Sequence, residues 1–179
     1  MAEASISPPL LSRCTYVAAK YSRMAVLDYI LSLNASKSVL SQAMNGGGKG
    51  GDIKVIEYLV SKGGDDYVSL LGGASEGGHL IIVKKYYSKL KPEELRGVFY
   101  IALYDLSLDI VKYLFERSVV ARATLHKALN NIQKTRKQVF KRLEDRSKLG
   151  SKDIATLERE SKDLLSMIEY LEYQKAQNY

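Results

Sequence analysis

The chain of 179 residues contains one cysteine, two histidines, three prolines and no tryptophan. A single cysteine, Cys14, cannot form a disulfide within the chain, so a disulfide framework is excluded and a reducing compartment is favoured. Two histidines and one cysteine are too few for a Cys/His zinc site. No apolar run approaches the ~20 residues that a membrane-spanning helix needs. The scarcities predict a protein with no membrane span and no metal centre.

Catalytic constellations are also missing from the sequence. No Ser/His/Asp or Cys/His set occurs at a spacing typical of nucleophilic catalysis, so we expect no enzyme, no cofactor and no small-molecule substrate. Residues 46–51 (GGGKGG) precede a predicted helix, but a phosphate loop requires Gly-Lys-Ser/Thr after a strand. Here Gly50 follows Lys49 and the preceding segment is predicted to be helical. We therefore interpret residues 46–50 as a flexible, dispensable insertion of about four residues between two helices.

Four ten-residue segments of the sequence repeat one another at intervals of about 28 residues. They span residues 22–31, 51–60, 78–87 and 106–115. Positions three, five, six, nine and ten are apolar or aromatic in every copy, which is typical of one broad face of a helix. The pattern predicts that Ile56, Leu59, Val83 and Val111 are buried core residues.

A shorter apolar stretch containing an alanine precedes each segment. These alanines are Ala18, Ala43, Ala74 and Ala102. A small residue there lets a neighbouring helix approach closely, while Gly51 and Gly78 lie at turns that tolerate positive φ. Each unit is thus predicted to be a helix–turn–helix pair. Because one pair cannot bury its apolar face alone, we expect four stacked pairs.

The amino-acid sequences of two of these segments resemble ankyrin repeats. Residues 78–84 (GHLIIVK) and 51–63 (GDIKVIEYLVSKG) are similar to the second helix of ankyrin-repeat proteins of large DNA viruses, and residues 74–79 (ASEGGH) match the family's A-A-x-x-G-H. The resemblance implies an ankyrin-like solenoid, a structural role for His79 in the turn, and a protein as partner. The family's T-P-L-H opening is missing and the period is shorter than the usual ~33 residues, so an α-solenoid of another family remains an alternative.

From residue 125 onwards the apolar spacing becomes heptad-like on two segments. The first seam is Leu125, Leu129, Ile132, Val139 and Leu143, and the second is Ile154, Leu157, Leu164, Ile168 and Leu171. Residues 149–153 (LGSKD) between them supply a glycine stop and capping residues. We expect an antiparallel helical hairpin over 121–179, which packs against the repeats of 1–120 with the help of Phe140, Leu165 and Met167. The predicted fold class is therefore all-α.

Positive charge is concentrated in the first helix of this hairpin. The net charge is +7, and residues 122–148 contain nine Lys and Arg against two Asp and Glu. Such a stripe is either a solvated outer face or a contact for an acidic protein, nucleic acid or an anionic lipid surface. The candidate partner-binding residues of this helix are Lys127, Lys134, Lys137, Lys141, Arg142 and Lys148, four of which recur every seven residues.

Three tyrosines share one column of the repeat: Tyr29, Tyr58 and Tyr113. Tyrosine suits positions with one apolar and one wet side, so this column either packs between repeats or forms a ladder of contact residues for a partner. We include the three tyrosines among the candidate partner-binding residues.

These features favour a non-enzymatic protein–protein interaction module of viral ankyrin-repeat type, with a host or viral protein as partner. One alternative is a minor, cementing component of a large virus capsid that binds capsid proteins. A weaker alternative is nonspecific nucleic-acid binding through the basic helix. The expected location is the host cytoplasm or the virion. The sequence does not identify the partner.

Overall fold

The computed structural model describes residues 7–117, 122–145 and 149–177, and these residues form α-helices without any strand. The first eight helices are α1 (Pro8–Lys20), α2 (Met24–Leu33), α3 (Lys37–Gly50), α4 (Ile53–Ser61), α5 (Tyr67–Glu76), α6 (Leu80–Tyr86), α7 (Pro92–Tyr104) and α8 (Leu108–Glu116). The last two helices are α9 (Arg122–Glu144) and α10 (Ser151–Gln177). A single 3₁₀ turn, Tyr87–Lys89, follows α6. The predicted all-α class is confirmed for this part of the chain.

The second helix of each pair, α2, α4, α6 or α8, coincides with one of the four repeated segments. Ile56, Leu59, Val83 and Val111 are 0% exposed, which confirms their prediction as core residues. Val26, at the fifth position of the first segment, is 50% exposed. The fifth position is therefore buried only from the second pair onwards, at Val55, Ile82 and Ile110.

The turns between paired helices share one backbone conformation. Gly51 and Gly78 have φ values of 80° and 71°, as expected, and Ser22 and Leu106 take φ values of 53° and 57° at the equivalent positions. An L-residue in this left-handed region is destabilised by ~1–2 kcal/mol relative to its ordinary conformations. These four positions are separated by 29, 27 and 28 residues, so the structural repeat is regular and leaves no room for an insertion.

The first helices of the pairs form a row in which α1 packs on α3, α3 on α5, and α5 on α7. Each first helix also packs on its own second helix, and α9 packs on both α7 and α10. The backbone N–H groups of the residues after three of the turns bond back to the carbonyl oxygens of Ala18, Ala74 and Ala102 at 2.8–2.9 Å. The equivalent residue in the second pair is Gly47, one helical turn after the predicted Ala43.

The prediction that residues 46–50 form a flexible insertion is wrong. They are the last turns of α3, and Gly46, Gly47 and Gly48 are buried. A Cβ at Gly46 would overlap the carbonyl oxygen of Tyr16 on α1. Glycine is present because the two backbones are in direct contact, where Cα–H···O contacts become possible.

The same close approach recurs on both sides of α3. A Cβ at Gly50 would overlap the carbonyl oxygen of Lys20 on α1, and one at Gly48 would overlap that of Leu70 on α5. Gly73 on α5 meets the backbone of α3 in the same way. Low helix propensity is offset here by packing that no larger residue permits.

Helices α9 and α10 lie within the predicted hairpin and pack on each other. Apolar residues of both seams are buried between α9 and α10, and Met167 is 0% exposed. The ring of Tyr170 on α10 meets the ring of Phe115 on α8 edge-on, with centroids 6.2 Å apart. Phe140 and Leu165 are exposed, so their expected role in packing on the repeats is wrong. The boundary at 120/121 lies outside the described residues.

The one cysteine of the sequence, Cys14, is exposed. It lies on α1, on the side that faces away from α3. Its counterparts in the later pairs are Ala43, Leu70 and Val98, all at most 1% exposed. Cys14 differs only because no described residue packs on the outer side of the first pair.

Candidate functional site

The candidate cationic residues form an exposed face on α9. Lys127, Lys134, Lys137, Lys141 and Arg142 are all exposed, whereas the predicted contact residue Lys148 lies outside the described residues. None of the ion pairs among the described residues involves any of these five side chains. We call these five residues the α9 basic face.

The spacing of this face is set by helix geometry. Seven residues advance an α-helix by about 10.5 Å, so Lys127, Lys134 and Lys141 form a straight row about 21 Å long. The apolar seam lies on the opposite side of α9, and that side packs against α10. A partner can therefore reach the row without disturbing the hairpin.

A cleft of about 390 Å³ lies next to this face, between α7 and the hairpin. It is lined by Tyr100, Leu103, Tyr104, Leu106, Ala128, Asn131, Ile132, Thr135, Glu160 and Leu164. Tyr104 at its rim is 88% exposed. Sequence reasoning missed the cleft, since its residues come from three helices and the turn after α7 and have no common spacing.

A second cavity, of about 460 Å³, lies between α5 and α7 and is also lined by Tyr104. It results from the wider spacing of these two helices. Ile101 of α7 occupies the position that Gly46 and Gly73 hold in α3 and α5, and its side chain contacts α5 at Gly72. A bulky residue at this position holds α7 away from α5. The looser junction leaves space that the glycine-lined junctions do not have.

Charged side chains lie at the junction of α5 and α7, beside the second cavity. The ammonium group of Lys49 lies 2.6 Å from a carboxylate oxygen of Glu76. Burial, followed by the charge of Glu76, raises the pKa of Asp105. The hydrogen bond to Glu76 raises the pKa of Lys49, against the opposing effect of burial. The cluster strengthens the contact between α3 and α5 and leaves Asp105 beside the second cavity.

The tyrosine column is used mainly to join consecutive pairs. Tyr58 donates a hydrogen bond to Asp28 of the preceding pair, and burial followed by this bond raises the pKa of Tyr58. Tyr113 is buried, and the guanidinium of Arg117 lies 3.6 Å from its ring centroid. Tyr113 is therefore not accessible to a partner, which corrects its selection as a contact residue. Of the three tyrosines in the column, only Tyr29, at 62% exposure, presents its ring to solvent.

Polar residues at the starts of the second helices provide further links between pairs. A ring nitrogen of His79, Nε2, lies 3.1 Å from the carbonyl oxygen of Lys49. Ser107 donates a hydrogen bond of 2.8 Å to the carbonyl oxygen of Ser75. Both bonds join the start of a second helix to the end of the first helix of the preceding pair. His79 thus has the structural position that the resemblance implied.

Two kinds of site are missing from the described ranges. No three His, Cys, Asp or Glu side chains of residues 7–117, 122–145 and 149–177 are close enough together to hold a metal ion. Within the same ranges, none of the helices has both the length and the apolarity that crossing a bilayer requires.

Comparison of the chain with protein-family models, with curated proteins and with solved structures finds no match.

Proposed function

We propose that this protein is a non-enzymatic protein-interaction module that binds an acidic surface of its partner through the α9 basic face. The carrying observation is the row of exposed cations on α9, none of which forms an ion pair with another described residue. Like charges along one helix face repel one another, and a partner of opposite charge removes that repulsion. The stacked helix pairs, which resemble ankyrin repeats in sequence, provide a rigid support for the face.

The geometry of the face favours an acidic helix as the matching surface. Acidic side chains seven residues apart on a partner helix have the same spacing, about 10.5 Å, as Lys127, Lys134 and Lys141. The adjoining cleft at Tyr104 offers an apolar and hydrogen-bonding contact beside the charged row. From the resemblance, the partner is a host or viral protein, with capsid proteins as one source.

The test is affinity capture with the full chain and with a variant that carries Lys134→Glu and Lys141→Glu. Both side chains are exposed, so the variant should keep the wild-type circular dichroism spectrum and melting temperature. The matched control, Lys152→Glu with Lys162→Glu, changes the net charge equally on the exposed side of α10. We expect the α9 variant to lose the captured protein and the α10 control to retain it.

Salt and nuclease treatment separate the remaining explanations. The Debye length falls from ~10 Å at 0.1 M salt to ~3 Å at 1 M, so capture through the α9 basic face should weaken steeply over that range, mainly through slower association. Equal capture by the α9 variant at low salt contradicts the proposal. Loss of capture after nuclease treatment also contradicts it, since the ligand would then be a nucleic acid.

A further inference from the structure

The outer side of the first helix pair is an exposed apolar surface. Six of its side chains are between 49% and 62% exposed: Leu10 and Val17 on α1, Tyr21 directly after α1, and Val26, Tyr29 and Leu33 on α2. The exposed thiol of Cys14 lies on α1 between Leu10 and Val17 in sequence. We call these seven residues the α1–α2 face.

The equivalent positions in the later helix pairs lie in the contacts between one pair and the preceding one. The counterparts of Val26 in α4, α6 and α8 are Val55, Ile82 and Ile110, and each is at most 1% exposed because it packs within the continuous core. The counterparts of Tyr29 bond or pack onto the preceding pair, as Tyr58 does with Asp28. The α1–α2 face therefore has the composition of an interface between helix pairs, but no neighbouring pair covers it among residues 7–117, 122–145 and 149–177.

The composition of α2 supports the same reading. Only Asp28 and Ser32 are polar among its ten residues. A helix that is apolar on all sides is typical of a buried position, not of a surface one. A terminal pair of a stable repeat array normally presents a polar outer side, and here that side is apolar.

We propose that the α1–α2 face binds the same face of a second copy of this chain, so that the protein forms a two-fold symmetric dimer. The opposite end of the row is covered by α9, which packs on α7, and by α10. The described part of each chain thus has one face of this kind, and pairing of identical faces closes at two copies instead of extending into a filament.

The extent of the face matches what a dimer requires. Seven side chains at roughly half exposure leave on the order of 600 Å² of surface, and the polar rim brings this close to the ~800 Å² per partner of a standard interface. An exposed apolar patch of that size marks an interaction site.

The spacing on α1 suits pairing with its own copy. Leu10, Cys14, Val17 and Tyr21 follow one another at steps of four, three and four residues, the spacing of a helix–helix seam. In an antiparallel pair of α1 helices, Leu10 would face Tyr21 of the other copy, and Cys14 would face Val17. Small residues then lie at the symmetry axis and large ones at both ends.

Sedimentation analysis of the full chain tests the proposal. At about 10 µM we expect twice the chain mass of 20.0 kDa for the wild type, and the single-chain mass for a variant carrying Val17→Glu and Val26→Glu. Both substituted side chains are half exposed in the single chain, so the variant should still fold. The matched control is Ile81→Glu on α6, whose side chain is 71% exposed outside the face, and it should remain a dimer.

Cys14 provides a second readout, because it is the only thiol of the chain. Its alkylation by iodoacetamide should slow as the wild-type protein is concentrated, and should be fast at every concentration in the double variant. A wild-type monomer at about 100 µM overturns the proposal. A dimer that the Val17→Glu and Val26→Glu changes leave intact, or that Ile81→Glu disrupts equally, overturns it as well.

Discussion

The backbone of Gly46 on α3 lies directly against the carbonyl group of Tyr16 on α1, and a Cβ at Gly46 would overlap its oxygen. This contact defines how closely the first two helix pairs approach. Because the obstructing atoms belong to the backbone of α1, they cannot move aside as the end of a flexible side chain could. The identity of residue 46 is therefore coupled to the position of a whole helix.

We expect Gly46→Ala to lower the free energy of unfolding by ~1–3 kcal/mol, as overpacking of a well-packed core does. The control is Gly97→Ala, since Gly97 lies in the interior of α7 and an added Cβ there meets nothing within 4 Å. That change should raise the free energy of unfolding by ~0.5–1 kcal/mol through helix propensity. Urea unfolding of both variants measures the difference, and a stabilising Gly46→Ala would show that α1 and α3 are not in backbone contact.

The glycines of residues 46–51 show what could not be predicted from the sequence. Glycine is a poor helix former, so a run such as residues 46–51 predicts a loop when only the local sequence is considered. What makes the run helical is the proximity of α1 and α5, and this is a tertiary property. The apolar columns, by contrast, repeat at a fixed spacing, so Leu59 and Val111 could be placed in the core from sequence alone.

Leu59 is 0% exposed at the centre of the second pair. Truncation by Leu59→Ala should lower the free energy of unfolding by ~2–5 kcal/mol, because it removes apolar contacts and leaves a cavity. Ile81→Ala, at an exposed position of α6, should change it by less than ~0.5 kcal/mol. Urea unfolding with an unchanged midpoint for Leu59→Ala would refute the assignment of this column to the core.

Asp66 caps α5 and connects it to α3. Burial alone would raise the pKa of Asp66, but hydrogen bonds donated by Ser41 and by the backbone and hydroxyl of Ser69 offset it, so the pKa is lowered overall. A lowered pKa in the folded state stabilises the protein above the unfolded value of about 3.9, and this stabilisation is lost as the pH falls through the folded value.

We therefore expect Asp66→Ala to lower the free energy of unfolding by ~0.5–2 kcal/mol at neutral pH, as loss of a helix cap does. The difference from wild type should shrink as the pH is lowered below about 4. Asp65→Ala is the control, since its carboxylate is exposed and its ion pair with Lys37 spans 3.9 Å. A difference for Asp66→Ala that does not change with pH would rule out a charged carboxylate as the acceptor.

The candidate site was less predictable than the core. The α9 basic face could be identified because its lysines recur every seven residues, whereas the burial of Tyr113 depends on Arg117 and Tyr87, which pack around its ring. Exposure of Cys14 likewise depends on what precedes α1 in space. Spacing within one helix predicts which side of it is apolar, but not which apolar sides find a neighbour.

Tyr170 tests the attachment of the hairpin to the repeats at alkaline pH. Burial, followed by the charge of Glu116, raises the pKa of Tyr170 to about 12. A raised pKa in the folded state means that the stabilising contribution is complete below the unfolded value of about 10 and is lost as the pH rises toward 12. Its ring also contacts Phe115 and lies 5.5 Å from the ammonium group of Lys112.

Tyr170→Phe keeps the ring and removes only the ionisable hydroxyl. We expect the variant to lose less stability than the wild type when urea unfolding is compared at about pH 9 and about pH 11. Some alkaline loss should remain, because burial also raises the pKa of Tyr58 and Tyr113. The control is Tyr173→Phe, because the side chain of Tyr173 is exposed on α10. This variant should follow the wild-type curve. If Tyr170→Phe and wild type lose stability equally, the hydroxyl is solvated in the folded protein, and α10 does not pack on α8 as described.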